Sequence, residues 1–274
     1  MHSQEITPAQ HFCIEKSVTL RAYDMPGGHR HTWHELYYLL EGERRYFIDG
    51  QIYTVHEGDV ILISKSTLHH TTSLSNRQHT RFLISFSDEF IHKSMQSEVE
   101  KCFAVRHFTL TEEARRGFED ILDKIITEYA AKSPFSDALF QAYTTELLVM
   151  LIQHLQADKG TRIRTKTPTE QLIESATGYI QDNLQSNLTL SYVSDMYHLS
   201  QSYFSRIFRI YTGFGYNEYL KHLRIQKAAQ LLLNTNMPIS EIAYQCGFSD
   251  SNYFSTVFKK DAGISPIKYR MLRK

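Results

Sequence analysis

The strongest constraint on the fold is a repeat. Tyr203-Phe204-Ser205-Arg206-Ile207-Phe208-Arg209 returns fifty residues later as Tyr253-Phe254-Ser255-Thr256-Val257-Phe258-Lys259. A short apolar-patterned segment precedes each copy (residues 189–194 and 239–245), and a glycine closes each, Gly213 and Gly263. In the second copy Tyr253, Phe254, Val257 and Phe258 fall at i, i+1, i+4 and i+5, which predicts one buried helical face. Asn252, Ser255, Thr256, Lys259 and Lys260 make up a polar and cationic face. Ser249 and Ser251 are residues of the kind that cap a helix start, and Ser265-Pro266 opens the next segment. A single amphipathic helix is commonplace. Two helix-turn-helix patterns at a fixed offset, joined by an uninterrupted helical pattern over 216–234, are not.

A short helix with one apolar and one polar-basic face fits the major groove of DNA. Two such helices about 34 Å apart on one side would enter successive groove segments. Tyr203, Phe204, Phe208, Phe254 and Phe258 are expected in the core. Gln201, Ser202, Ser205 and Arg206, and in the second copy Ser251, Asn252, Ser255 and Thr256, are expected to face outward toward bases. Arg206 suits guanine and Asn252 adenine, whereas the later Arg209, Lys259 and Lys260 suit phosphates. Net charge is zero, but residues 1–160 carry −6 and residues 161–274 carry +6. That split places a nucleic-acid-binding module on an acidic carrier.

The acidic part holds 12 of the 14 histidines and reads as short strands at 18–23, 35–40, 45–48, 52–55, 60–63, 69–74 and 81–86. Asp49-Gly50 between alternating runs signals a tight hairpin. Seven such strands suggest a barrel or jelly roll. Helical patterns follow at 111–131 and 136–156, with apolar stripes that must cover the barrel, each other or a second copy of the chain. The polar stretch 158–168 reads as a linker. Cys13, Cys102 and Cys246 are too few and too scattered for a disulfide framework or paired metal ligands, which fits a reducing cytoplasm. No apolar run is long enough to span a membrane, and the N-terminus lacks the order of a signal peptide.

His29-x-His31-x3-Glu35-x6-Gly42 resembles the first cupin motif, and Gly58-x10-His69 the second, with Ser64 and Ser66 where that motif has proline and glycine. On a strand covering His29, His31 and Glu35, beside one carrying His69, three imidazoles and a carboxylate could form the ligand set of a transition metal. His34, His56 and His70 show that histidine is frequent here in any case. The preferred reading is a pocket for a small polar ligand lined by His29, Arg30, His31, Trp33, Glu35, Tyr37, Tyr46 and His69, with no metal or other cofactor and no catalytic residue.

Residues 168–274 resemble the double helix-turn-helix domain of the AraC/XylS family of bacterial transcription regulators. The residues that carry the likeness are Leu223-Arg224-Ile225-x-Lys227-Ala228, Ile239-Ser240-Glu241-Ile242-Ala243, Gly247-Phe248, Tyr253-Phe254-Ser255-x-x-Phe258-Lys259-Lys260 and Gly263-x-Ser265-Pro266-x-x-Tyr269-Arg270. The N-terminal half is similar to the effector-binding and dimerisation domain of sugar-responsive members. The expected fold is α+β with two domains. The first is a cupin or jelly-roll β-barrel with a helical hairpin, residues 1–160 (barrel about 15–90, helices about 111–157). A linker follows at 161–168, then an all-α double helix-turn-helix domain at 169–274. The resemblance implies a cytoplasmic homodimer that binds double-stranded promoter DNA, contacts RNA polymerase and answers a small effector, a sugar, most often as activator of a catabolic operon. The competing classes are a metal-dependent cupin enzyme fused to a DNA-binding domain and a ligand-free repressor.

Overall fold

A central strand covered on both faces organises the first half of the molecule. In the computed structural model, which describes residues 12–20, 23–157 and 166–273, seven antiparallel strands come first. They are β1 (Phe12–Thr19), β2 (His34–Glu41), β3 (Glu43–Ile48), β4 (Gln51–His56), β5 (Asp59–Ile63), β6 (His69–Ser73) and β7 (His79–Phe86). Helix α1 (Gln96–Val105), a short β8 (His107–Thr109), α2 (Glu112–Ala131) and α3 (Ser136–Ala157) follow. One sheet has the order β1-β7-β2-β5-β8 and the other β4-β3-β6.

Six consecutive residues of β2, His34–Leu39, are buried. Alternation sends Tyr37 and Leu39 to one face, where they pack with Tyr46, Ile48, Val55, Ile61 and Ile63 between the two sheets. Leu36 and Tyr38 take the other face, in a larger cluster with Phe82, Ile84, Phe103, Phe118, Ile121, Leu122, Leu147, Leu148 and Leu151. The stripes of α2 and α3 are thus buried against the five-stranded sheet and each other. Asp49 and Gly50 both have positive φ (49° and 91°), as the two-residue hairpin demands.

The first strand differs from expectation. It runs from Phe12 to Thr19 rather than over 18–23, because Phe12 stacks on Phe90 and Phe140 (centroids 5.2 and 4.8 Å) and Ile14 joins the same cluster. Val18 and Leu20 are exposed, and residues 21–22 of the expected strand lie outside the described residues. Helix α1 and β8 were not legible in the sequence. Most of the expected linker, including Arg162 and Arg164, also lies outside the described residues.

The chain divides into two compact units, Met1–Thr165 and Lys166–Lys274. The second is helical: α4 (Pro168–Asp182), α5 (Leu190–Met196), α6 (Gln201–Thr212), α7 (Tyr216–Asn234), α8 (Ile239–Gln245), α9 (Ser251–Ala262) and α10 (Pro266–Arg270). Thr167 and Glu170 form a capping box on α4, whose first residue is Pro168. The cap of α9 is Asp250 rather than Ser249 or Ser251; its carboxylate accepts from the Tyr253 amide at 2.6 Å.

The two turns use the same backbone bonds. Leu199 N–H donates to Ser194 O, and Phe248 N–H donates to Ala243 O, both at 3.0 Å. His198 and Gly247 hold the left-handed position that this closure needs (φ 55° and 82°). Histidine is tolerated in the first turn because it is exposed. A Cβ on Gly247 would stand 2.2 Å from Leu184 O. Arg224 closes the same contact, donating through Nε to Leu184 O (3.1 Å) and through a terminal nitrogen to Ser186 O (3.0 Å). Gly247→Ala therefore combines positive φ with a backbone clash. Denaturant unfolding should show it destabilising the second unit by about 1–3 kcal/mol, whereas His198→Gly should not destabilise it.

His79 gives the first unit an acid sensitivity. It is 3% exposed and packs on Gly42, where a Cβ would stand 2.8 Å from Gln78 O. Burial, with Arg44 and Arg81 nearby, pushes its imidazole down from 6.5 to about 4. The unfolded chain takes up that proton below pH 6.5 while the folded chain does not, so this contribution is whole above pH 6.5 and is lost as pH falls toward 4. Urea midpoints at a series of pH values should fall across that window, and His79→Gln should flatten the fall.

Candidate functional site

Two surfaces carry the chemistry expected from the sequence: the outer faces of α6 and α9, and the mouth of the barrel. On α6 the stripe Phe204, Ile207, Phe208 and Thr212 is buried, leaving Gln201, Ser202, Arg206 and Arg209 exposed and Ser205 half-buried. Phe208 meets Tyr216 and Tyr219 of α7 edge to face at 5.7 and 5.4 Å. On α9 the buried pair is Phe254 and Phe258, packed with Ile225, Ala228, Leu232, Ile242, Ala243 and Phe248. Asn252, Thr256, Lys259 and Lys260 are exposed, and Ser251 and Ser255 are half-buried.

Tyr203 is not a core residue. It is 42% exposed, and Tyr253 at the equivalent position of α9 is 60% exposed. The buried stripe follows 204-207-208 and 254-257-258, and the residue just before it turns about 100° away. Tyr203 instead lies on the outer face with the Arg206 guanidinium over its ring, 5.3 Å from the centroid. The stripe spacing itself would have shown this.

The two outer faces differ in what they can offer. Ser255 Oγ donates to Ser251 O (2.9 Å) and Thr256 Oγ1 to Asn252 O (3.0 Å). Each hydroxyl hydrogen is taken by the helix, so only the oxygen lone pairs face outward. Three other cations near the fold signature are occupied by structure: Arg224 as above, Arg270 on Met237 O and Arg273 on Leu232 O.

At the barrel mouth the residues expected on one strand are split. His29 makes an isolated bridge to His69, each amide donating to the other's carbonyl at 3.0 Å. The chain passes His31, bends at Thr32-Trp33 and enters β2, where Glu35 pairs with Ile63 and Ser85. His29, on the segment laid along β6, and Glu35, in the five-stranded sheet, thus come from different sheets. Arg44 pins that segment, donating to Tyr23 O (2.6 Å) while its guanidinium also reaches Thr71 and Ser73. His29, His31 and His69 nevertheless converge, with one nitrogen of each within 4.8 Å of the others. Glu35 joins them, its oxygens 2.9 Å from His31 Nε2 and 3.7 Å from His69 Nε2.

Burial pushes Glu35 up, but the nearby imidazoles, His31 foremost, outweigh it and hold the carboxyl down to about 2. Burial pushes His69 down to about 4, against the pull of Glu35, so it is neutral at physiological pH. His31 Nδ1 sits 2.9 Å from Trp33 O, and His69 Nδ1 sits 2.9 Å from Thr67 O. A carbonyl only accepts, so both Nδ1 atoms carry a proton, and Nε2 of the neutral His69 presents its lone pair. His31 Nε2 faces a Glu35 oxygen, whereas His69 Nε2 has no hydrogen-bond partner among the described residues. Such an unpaired buried atom costs about 1–3 kcal/mol. Three converging imidazoles and a carboxylate fit a divalent transition metal in ligand type.

Of the other residues expected at a ligand pocket, Trp33 stacks on His31 (4.5 Å, 4° between planes). Tyr37 and Tyr46 meet edge to face at 5.0 Å inside the packed cluster between the sheets, and the Tyr37 hydroxyl has no hydrogen-bond partner among the described residues. Arg30 is half-buried beside His29. Among the described residues no helix is long and apolar enough to cross a membrane.

Comparison with known proteins finds a domain family in each unit. Residues 193–271 match a helix-turn-helix domain family, and residues 18–86 match the cupin domain family. The transcriptional activator RhaS of Escherichia fergusonii is 25% identical over all of this chain and 97% of its own length. The activator RhaR of Salmonella dublin is 25% identical over 91% of this chain and 88% of its own. The C-terminal domain of AraT, a response regulator from Geobacillus stearothermophilus, is 38% identical over 39% of this chain and 89% of that structure, with a TM-score of 0.38. The chain belongs to the AraC/XylS family of DNA-binding transcription regulators, with an N-terminal cupin domain.

Proposed function

We propose that the chain is an effector-responsive transcription activator that acts as a cytoplasmic homodimer. Its α6 and α9 read promoter DNA, and its cupin unit takes a small polar ligand, a sugar, at the His29–His31–Glu35–His69 mouth. The observation that carries the reading is the twofold construction of the second unit, two recognition helices on one connecting helix, in the same chain as a sensing-type barrel. The names of RhaS and RhaR as activators support the sign of regulation. The cupin unit acts as a sensor, not as an enzyme. Ligand binding alters how a dimer's four helix-turn-helix units engage the promoter and how they meet RNA polymerase.

Within α6, Arg206 has the reach for a bidentate contact to guanine, while Arg209, Lys259 and Lys260 serve the phosphates. Residues 201, 202 and 205 flank Arg206 on the outer face. On α9, Asn252 is the side chain suited to adenine, and Ser251, Ser255 and Thr256 provide weaker readout because two of the three hydroxyl hydrogens are held by the helix.

Binding measured across a panel of DNA variants and salt concentrations tests this. Arg206→Ala should cost about 1–3 kcal/mol on the preferred site and relax preference at one base pair. Lys259→Ala should weaken binding to all sequences alike and lower the salt slope by about 1. An Arg206→Ala protein with unchanged affinity and preference would mean that α6 does not read bases.

A further inference from the structure

We propose that Tyr203 is a positioning residue: its ring holds the Arg206 guanidinium ready for a base and makes α6 a sharper reader than α9. This rests on the reading of Arg206 as a base-contacting side chain and adds what aims it.

The first turn of α6 fixes the ring. Ser200 caps the helix, its hydroxyl oxygen accepting from the Tyr203 amide at 3.3 Å, so the backbone under Tyr203 is held. Phe204, the next residue, is buried, which turns Tyr203 outward, where it is 42% exposed. A tyrosine side chain has only two χ angles and makes a rigid post. Arg206 lies three residues on, hence on the same face. Long side chains of a helix lean back toward its N-terminus, over the preceding turn. That lean brings the guanidinium over the Tyr203 ring, 5.3 Å from the centroid. A recognition helix meets base edges with its N-terminal residues, so the charge is aimed at the end of α6 that enters the groove.

A ring suits this task better than a carboxylate. Among the described residues Arg206 makes no hydrogen bond or ion pair. Ser202, Arg209 and Ile210, its other neighbours one turn away, offer no carboxylate. A π face attracts the cation without taking its N–H donors, whereas a carboxylate would occupy the pair that guanine needs. Arginine also loses much rotamer freedom when it docks, and a stacked arginine has lost part of it beforehand.

Helix α9 supplies the comparison. Tyr253 has the same cap-fixed place, its amide on the Asp250 carboxylate at 2.6 Å, and is 60% exposed. Three residues on stands Thr256, whose hydroxyl donates to Asn252 O. Helix α9 thus has the ring without the guanidinium.

A double-mutant cycle on DNA tests the brace. Full-length wild-type protein would select a site from a randomised duplex pool. Binding to that site, to its single-base variants and to unrelated DNA would then be measured for each variant. An exposed cation–π contact corresponds to about 2- to 5-fold in a binding constant. Tyr203→Ala should lose that much on the selected site, at the base pair where Arg206→Ala relaxes preference, and bind unrelated DNA as before. Tyr203→Leu, which keeps an apolar side chain without a ring, should match Tyr203→Ala, and Tyr203→Phe should match wild type. In an Arg206→Ala background, Tyr203→Ala should change nothing further. Tyr253→Ala should show no such coupling to Thr256→Ala.

A Tyr203→Phe loss as large as that of Tyr203→Ala assigns the role to the hydroxyl and overturns the brace. So does a Tyr203→Ala effect that is absent, or one of the same size with and without Arg206. Equal coupling of Tyr253 to Thr256 overturns it too, since no cation stands there. The Arg206→Ala arm alone decides the underlying reading: unchanged affinity and preference there overturn the base contact and the brace with it, whereas a normal Arg206→Ala loss without coupling to Tyr203 overturns the brace only.

Discussion

Each recognition helix is held by two phenylalanines one turn apart, and the rest of the second unit follows from that constraint. Phe204 and Phe208 stand 5.6 Å apart, as do Phe254 and Phe258. They fix which side of α6 and α9 is buried, and so which side faces outward. Both pairs dock on the same helix: the first on Tyr216 and Tyr219 near the start of α7, the second on Ile225, Ala228 and Leu232 further along. Helix α7 has 19 residues and is about 28 Å long, which is close to one turn of B-DNA, about 34 Å. A single helix thus carries both α6 and α9, the proposed readers, and the clamp of Arg224 and Gly247 on Leu184 holds the turn before α9 against the end of α4.

The barrel has a comparable logic. Burying β2 on both faces makes its alternation decisive: Leu36 and Tyr38 go to the helices, while Glu35, Tyr37 and Leu39 go between the sheets. Glu35 is the exception among inward residues, a carboxylate where its neighbours are apolar or aromatic. It is kept ionised by the imidazoles around it, and the same surroundings keep His69 neutral. A buried ion pair is weak evidence for stability, and carboxylates shifted in this way cluster at functional sites.

Much of this was legible in the sequence, and the failures have physical causes. The repeat and the glycine stops located α6, α7 and α9, because local chemistry decides helix ends, although the α9 cap fell on Asp250 between the two expected serines. The hairpin at Asp49-Gly50 was equally local. The first strand was misplaced because Phe12 and Ile14 are fixed by contacts with residues far along the chain, Phe86, Phe90 and Phe140, which no local alternation reveals. Helix α1 and β8 escaped for the same reason. Tyr203 was read as core from mere adjacency to Phe204, although helical spacing puts it on the outer face. At the barrel mouth the residue types were right and the backbone was wrong: the histidines converge from a bridge, a bend and the start of β6, not along one strand.

The central claim is that one chain presents two DNA readers at a separation set by α7. In vitro selection from a randomised duplex library by the full-length protein tests it most directly. The account predicts enriched sites in which two short elements per chain lie about 10 bp apart, centre to centre on one face of the duplex, with the α6 element the more sharply defined. Enrichment of a single short element, or of paired elements half a turn out of phase, would contradict it.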